Sequence, residues 1–137
     1  MKSYKWQLMS NNILPNDKAT LIKFIKSSNK FTNGPKVIEF EKKWSKWLGV
    51  KYSTFVNSGA SANLISINIL KELNSKKREI ILPAFTWSSD VVSVINAGFK
   101  PIFVDINFKN LALDESLVKK KINKNTLAIF ITHAMGF

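Results

Sequence analysis

A stretch of small residues, Asn57-Ser58-Gly59-Ala60-Ser61-Ala62-Asn63, separates an apolar segment from a helical pattern and is the part of the chain best suited to bind an anion. Backbone N–H groups at a helix N-terminus lack intrahelical acceptors, and the helix dipole favours a negative charge beside them. The stretch therefore suits a phosphate group. Taken alone, a serine-capped turn that uses glycine for its backbone freedom is the commoner interpretation.

The next loop carries a tryptophan, in the stretch Pro83-Ala84-Phe85-Thr86-Trp87-Ser88-Ser89-Asp90. Trp87 lies outside any helical apolar stripe. A flat indole beside a phosphate-binding helix end would suit stacking on a planar aromatic cofactor. The alternative is a tryptophan that covers the end of a sheet, with Ser88 or Ser89 as the next helix N-cap.

Three polar residues further along are weaker candidates. Asp105 and Asp114 both have cap or turn roles available, so their spacing gives neither a catalytic role. His133 could act as an acid or base, but a single histidine without a visible partner is more often structural. Because the chain has no cysteine and one histidine, we expect neither thiol chemistry nor a metal site.

Helical and strand-like patterns alternate and would place these loops at one edge of a sheet. Two helices come first, over residues 17–28 and 37–48, with Asn16 or Asp17 as the first N-cap, and Trp44 and Trp47 share the apolar stripe of the second. We expect both tryptophans to pack in a core. The strands predicted next cover residues 52–56, 79–82, 101–106 and 126–132, and the helices between them cover residues 60–73, 88–97 and 114–122.

Four strands with three intervening helices predict an α/β fold with a mainly parallel sheet and helices on both faces. The near-continuous apolar runs at residues 80–82 and 127–131 are typical of strands that are buried on both faces. Ligands bind such sheets outside the carboxyl ends of the strands, where the small-residue and tryptophan loops fall.

The positive net charge of the chain suggests a function of a different class. With 21 Lys and Arg against 9 Asp and Glu, its net charge is +12, and lysine runs occur at Lys76-Lys77-Arg78 and Lys119-Lys120-Lys121. A basic nucleic-acid-binding module is therefore an alternative of another class. Because Arg78 is the only arginine and specific readout relies on the arginine fork, lysine used as a solvated surface residue is the better explanation.

The N-terminal residues 1–12 lack the apolar core of a signal peptide, and no stretch of about 18 apolar residues occurs in the chain. We therefore expect a soluble, cytoplasmic protein. The length suits one domain of ordinary size.

Six segments in fixed order carry a family resemblance. They are FTNGPKVIEFE at 31–41, LGVKY at 48–52, NSGASANL at 57–64, IILPAFTW at 80–87, AGFKPIFVDI at 97–106 and TLAIFITHAMG at 126–136. Together they resemble the DegT/DnrJ/StrS family of nucleotide-sugar aminotransferases that depend on pyridoxal 5'-phosphate (PLP). The resemblance covers nearly the whole chain.

The resemblance implies the N-terminal part of the large domain of an aspartate-aminotransferase-type (fold type I) enzyme. It divides the chain into an N-terminal helical segment, 1–30, and an incomplete PLP-binding domain, 31–137. It assigns Ser58, Gly59, Ala60 and Ser61 to the cofactor phosphate and Trp87 to stacking on the pyridine ring. It further implies a nucleotide-linked keto-sugar as substrate, glutamate as amino donor, a homodimer, and a role in amino-sugar synthesis for surface polysaccharides such as lipopolysaccharide.

The family's Schiff-base lysine, and the aspartate that pairs with the pyridine nitrogen, are expected beyond Phe137. No residue of the chain is therefore predicted to be catalytic. The 57–63 and 86–89 segments also resemble the branch that includes nucleotide-sugar 3-dehydrases, in which histidine replaces this lysine. A PLP- or PMP-dependent 3-dehydrase is thus the alternative within the same cofactor class.

We predict that these 137 residues, purified alone, do not turn over a transamination reaction, because they lack the lysine that the family uses. The measurement is a coupled assay of 2-oxoglutarate release from glutamate with PLP present. Turnover well above that of free PLP would contradict the assignment of the catalytic group to a position beyond Phe137.

Overall fold

The computed structural model describes residues 12–73 and 76–136, with the backbone alone described at Met135. Within these ranges the elements are α1 Pro15–Ser27, α2 Pro35–Leu48, α3 Gly59–Leu73, β1 Glu79–Pro83, α4 Ser88–Asn96, β2 Lys100–Val104, α5 Glu115–Lys121 and β3 Thr126–Ile129, with a short 3-10 turn at Ala134–Gly136. The chain divides into two units, Met1–Phe55 and Val56–Phe137. The predicted boundary near residue 30 stays a prediction.

Proline starts both helices of the first unit. Pro15 is the first residue of α1, where its missing N–H costs nothing and its fixed φ suits a helix. The N-cap is therefore Leu14 rather than the predicted Asn16 or Asp17, and Asp17 Oδ2 instead accepts a hydrogen bond from the Leu14 N–H at 2.9 Å. The second helix begins at Pro35 and ends, as predicted, before Gly49.

The prediction that Trp44 and Trp47 pack in a core is wrong for the described residues. Their side chains are 44% and 74% exposed, and they form a surface row with Phe40. Ring centroids are 5.8 Å apart between Phe40 and Trp44, and 4.9 Å apart between Trp44 and Trp47. In the described part of this unit no hydrophobic side chain is buried, because two helices do not enclose a core between them.

The predicted strand at 52–56 is also wrong, because this segment, which crosses the boundary between the two units, joins no ladder of the described sheet. The Phe55 N–H donates to Glu41 Oε1 at 2.8 Å, so a carboxylate takes the place of a strand partner there. The three other predicted strands are present, although β2 and β3 end earlier than their apolar patterns indicate.

In the second unit the three strands are parallel and lie in the order β2-β1-β3. The central strand pairs Ile81 with Ile102 on one side and with Ile129 on the other. Because β1 has neighbours on both sides and helices on both faces, Ile80, Ile81 and Leu82 are completely buried.

The strand order decides which face each helix covers. The chain moves from β1 to β2 through α4, then returns past β1 to β3 through α5, and right-handed crossovers in opposite directions lie on opposite faces. Val94 of α4 packs with Ile80 and Leu82, together with Ile67 of α3, whereas Val118 of α5 packs with Ile81. The predicted α/β fold, a parallel sheet with helices on both faces, is confirmed.

Asp114 caps α5 and gives the second unit a specific acid sensitivity. Its Oδ1 accepts hydrogen bonds from the Ser116 and Leu117 N–H groups at 2.9 and 3.2 Å. The hydrogen bond from the Ser116 side chain, and then that from the Leu117 backbone, lower the pKa of Asp114 below its ordinary value of 3.8. A carboxyl with a lowered pKa in the folded state stabilises the fold above its ordinary pKa, and this contribution disappears as the pH falls through the lowered value.

We therefore predict that Asp114→Ala lowers the melting temperature at neutral pH and that the gap to the unmodified chain narrows in acid. Asp114→Asn is the matched control, since asparagine caps helices comparably without ionising. Thermal unfolding is followed by circular dichroism at several pH values from neutral to strongly acidic, and it gives the melting temperatures of both variants and of the unmodified chain. A gap that is independent of pH would contradict the capping role of the carboxylate.

Candidate functional site at the carboxyl edge of the sheet

The small-residue stretch forms the start of α3 and is held by its own hydroxyl groups. Ser58 precedes the helix, and its Oγ accepts a hydrogen bond from the Ser61 N–H at 3.1 Å. The Ser58 carbonyl accepts from the Ala62 N–H at 3.1 Å, and Ser61 Oγ donates to Asn57 Oδ1 at 2.6 Å. Ser58 is thus an N-cap, as the structural interpretation of the sequence expected, and this role fixes the turn.

The cap leaves two neighbouring amides open to a ligand. In the described ranges no acceptor is found for the Gly59 and Ala60 N–H groups, which belong to the first turn of a helix of 15 residues. Both residues are exposed, and a Cβ placed on Gly59 would meet no atom within 4 Å. The turn therefore presents donors and a positive helix end to solvent.

Trp87 stands beside a cavity at the end of β1. It is the N-cap residue of α4, its side chain is 74% exposed, and so it does not cover the end of the sheet. The cavity has a volume of about 300 Å³ and is lined by Phe85, Thr86, Trp87 and Thr132. This size is at the lower limit of typical small-molecule sites, which begin at roughly 300 Å³.

One buried carboxylate, which the sequence did not single out, connects the two loops. Asp90 accepts hydrogen bonds from Asn63 Nδ2 of α3 at 2.8 Å and from Thr86 Oγ1 at 2.7 Å. Thr132, beyond the end of β3, also donates to it at 2.9 Å, and the two threonine hydroxyls lie 2.6 Å apart. The structure therefore places the start of α3 and the Trp87 loop at the same edge of the sheet.

This edge is the expected place for a ligand in such a topology. The chain leaves β1 toward one side of the sheet and returns to β3 on the other, which makes the space outside β1 and β3 a topological switch point. The Thr86 and Thr132 hydroxyls meet there, one from the loop after each strand.

The weaker candidates have other positions. His133 lies on a second cavity, of about 280 Å³, with residues of the α5 side of the sheet such as Leu113 and Val118. Asp105 Oδ1 accepts from the N–H of the next residue at 2.8 Å, and Asp114 is the α5 cap. The described residues include no group of side chains able to hold a metal ion and no helix long and apolar enough to cross a membrane.

The lysine runs lie at the opposite edge and have a structural cause there. Lys119, Lys120 and Lys121 form the last turn of α5, where cations stabilise the negative end of the helix. The other run directly precedes β1, and the Arg78 N–H donates to Asn125 beyond α5. Helix-end stabilisation accounts for part of this charge without a nucleic acid.

The sequence model of the DegT/DnrJ/EryC1/StrS aminotransferase family matches residues 13–137, nearly the whole chain. The chain belongs to this family. The match includes the turn before α3, the Trp87 loop and the segment that ends at Thr132, so the resemblance expected from the six sequence segments is confirmed.

Two characterised relatives differ in the reaction that their names describe. GDP-4-keto-6-deoxy-D-mannose 3-dehydratase of Yersinia pseudotuberculosis is 36% identical over 119 residues, which are 84% of this chain and 30% of that protein. GDP-perosamine synthase of Vibrio cholerae is 30% identical over 105 residues, 77% of this chain and 28% of that protein. The chain spans about 30% of the length of these relatives.

Solved structures agree with the fold. GDP-4-keto-6-deoxymannose-3-dehydratase with a trapped PLP-glutamate geminal diamine has a TM-score of 0.82 at 31% identity, over 93% of this chain and 34% of that one. The E. coli GDP-4-keto-6-deoxy-D-mannose-3-dehydratase with bound hydrated PLP has a TM-score of 0.83 at 30% identity, over 93% and 33% of the two chains. The chain therefore has the α/β architecture of the N-terminal part of a fold type I enzyme, as predicted.

Proposed function

We propose that this chain is part of a PLP-dependent aminotransferase that acts on a nucleotide-linked keto-sugar and supplies amino sugars for surface polysaccharides. The observation that carries the proposal is that the open α3 N-terminus and the Trp87 cavity are joined through Asp90 at one sheet edge. Family membership and the likeness to solved structures with bound PLP support it.

The start of α3 fits the cofactor phosphate. The Gly59 and Ala60 amides would donate to phosphate oxygens, and hydrogen bonds to a charged acceptor are stronger than neutral ones. The Ser58 and Ser61 hydroxyls, now bonded to each other at 3.2 Å, can rotate to donate as well. No side chain obstructs the approach, because Gly59 has open space where a Cβ would stand.

The Trp87 indole fits the cofactor ring. It is exposed beside an apolar cavity of about the size that a single aromatic ring and its substituents need. When bound, PLP supplies an electron sink for chemistry at an amino-bearing carbon. The residues of this chain would bind and orient the group, and none of them is proposed as the catalytic lysine.

A 3-dehydratase is the second candidate, and the 36% identity to the Yersinia enzyme favours it specifically. The two reactions share the cofactor site and differ in what happens to the sugar. We propose to separate them by incubating the full-length protein with glutamate and GDP-4-keto-6-deoxy-D-mannose. An aminated sugar supports the aminotransferase, and a sugar that has lost its 3-hydroxyl supports the dehydratase.

The proposed setting follows the family resemblance. Glutamate is the proposed amino donor, the full-length protein is proposed to be a homodimer, and the cytoplasm is its proposed location. No nucleic-acid partner and no membrane association are proposed. Sedimentation of the full-length protein tests the dimer directly.

We predict that the chain binds pyridoxamine 5'-phosphate (PMP) at least about tenfold more tightly than pyridoxamine, because one or two charge-assisted hydrogen bonds at the α3 N-terminus contribute that much. PMP is the suitable probe because it has no aldehyde to react with the chain's 20 lysines. Isothermal titration calorimetry measures both affinities. Equal affinity for the two compounds would contradict the phosphate assignment.

Ser58 variants sharpen this test. Ser58→Asp keeps a good helix cap but places a negative charge beside the phosphate, so it should weaken PMP binding more than Ser58→Ala does. Ser66→Asp adds the same charge to an exposed position further along α3 and is the matched control. If Ser66→Asp weakens binding as much as Ser58→Asp, the effect is general repulsion and the site is elsewhere.

A further inference from the structure

Asp90 occupies a position where a carboxylate is energetically unfavourable. It is the third residue of α4 and 4% exposed, and burial of a carboxylate is unfavourable unless hydrogen bonds compensate for the lost water. The ion pairs of Glu39, Glu79 and Glu115 involve other carboxylates, and the hydrogen-bond donors described for Asp90 are an amide and hydroxyl groups. Its compensation comes from neutral donors.

Those donors come from three separate parts of the chain. Oδ1 accepts from Asn63 Nδ2, and Oδ2 accepts from the Thr86 and Thr132 hydroxyls, all within 2.9 Å. Both oxygens are thus used, and the start of α4 adds a favourable dipole. An apolar side chain of similar size would avoid the desolvation cost of the carboxylate but would leave all three donors without their acceptor, so the network depends on this side chain.

Each donor stands next to a part of the proposed cofactor site. Asn63 is one helical turn beyond Gly59, and Thr86 directly precedes Trp87. Thr86 and Thr132 themselves line the cavity beside the indole. A buried hydrogen-bonded network restricts the motion of its members, so the Asp90 carboxylate links the turn at the start of α3 to the cavity beside Trp87.

We propose that Asp90 is a positioning residue: its carboxylate sets the spacing between the α3 N-terminal amides and Trp87, and holds the Thr86 and Thr132 hydroxyls on the cavity wall for the ligand to contact. This rests on the proposed PLP site. Asp90 itself does not touch the cofactor, because its oxygens are buried and occupied by Asn63, Thr86 and Thr132.

The test compares Asp90→Ala, Asp90→Asn and the unmodified 137-residue chain by two readouts. The first is the ¹H–¹⁵N NMR spectrum without ligand, in which the Gly59 to Ser61 amides and the Trp87 indole N–H report on the two halves of the site. The second is PMP affinity. We expect Asp90→Ala to shift or broaden these signals and to weaken PMP binding about tenfold or more.

Asp90→Asn retains the shape and one acceptor oxygen, so it should restore part of the affinity that Asp90→Ala loses. Asp17→Ala is the matched control, because Asp17 holds the same third position in α1 but is exposed. It should leave the site signals and PMP affinity unchanged. A folded Asp90→Ala chain with unmodified site signals and PMP affinity would overturn the proposal.

If Asp90→Ala does not fold, Thr86→Val and Thr132→Val each remove one donor to the carboxylate while nearly preserving side-chain shape. Each of these variants should shift the NMR signals of the site by a smaller amount than Asp90→Ala does. If neither variant shifts the Gly59 to Ser61 amide signals, the proposal is overturned. If the unmodified chain does not bind PMP at all, the proposed cofactor site fails for these residues. In that case the NMR spectrum recorded without ligand shows whether Asp90 couples the turn at the start of α3 to the Trp87 loop.

Discussion

The buried carboxylate of Asp90 is the interaction on which the carboxyl edge of the sheet depends. Asn63, Thr86 and Thr132 donate to it, two of them from distant parts of the sequence, and without it each donor would lack a partner in a poorly solvated place. The reversal of strand order around β1 creates the crevice, and the hydrogen bonds to Asp90 join the segments on its two sides. Asp90 therefore connects α3 with the loops that follow β1 and β3.

Local patterns in the sequence were enough to predict most elements, because helix periodicity, buried apolar strands and glycine turns are properties of neighbouring residues. They also predicted the small-residue turn and Trp87 as the two notable loops. The Asp90 network could not be predicted in this way, since Asn63 and Thr132 lie 27 and 42 residues from it. Its one sequence signal was an acidic residue in the first turn of a helix, which ordinarily indicates only a favourable dipole contact.

The wrong predictions have a common physical origin. The stripe that contains Trp44 and Trp47 shows which face of α2 is apolar, but periodicity does not show what covers that face. The alternation at 52–56 likewise indicates a conformation without supplying a ladder partner, and Phe55 bonds to the Glu41 carboxylate instead. In the proposed function, amination and dehydration would use the same phosphate turn and indole, so the described residues would serve both reactions.

The most direct test of the central claim is a ¹H–¹⁵N NMR titration of the chain with PMP, which maps where the ligand binds rather than whether it binds. We expect the largest shifts at the Gly59 and Ala60 amides and at the Trp87 indole N–H, with the same saturation curve at all three. Shifts concentrated at the lysine-rich edge around Lys76 and Lys119, with the α3 start unmoved, would contradict it.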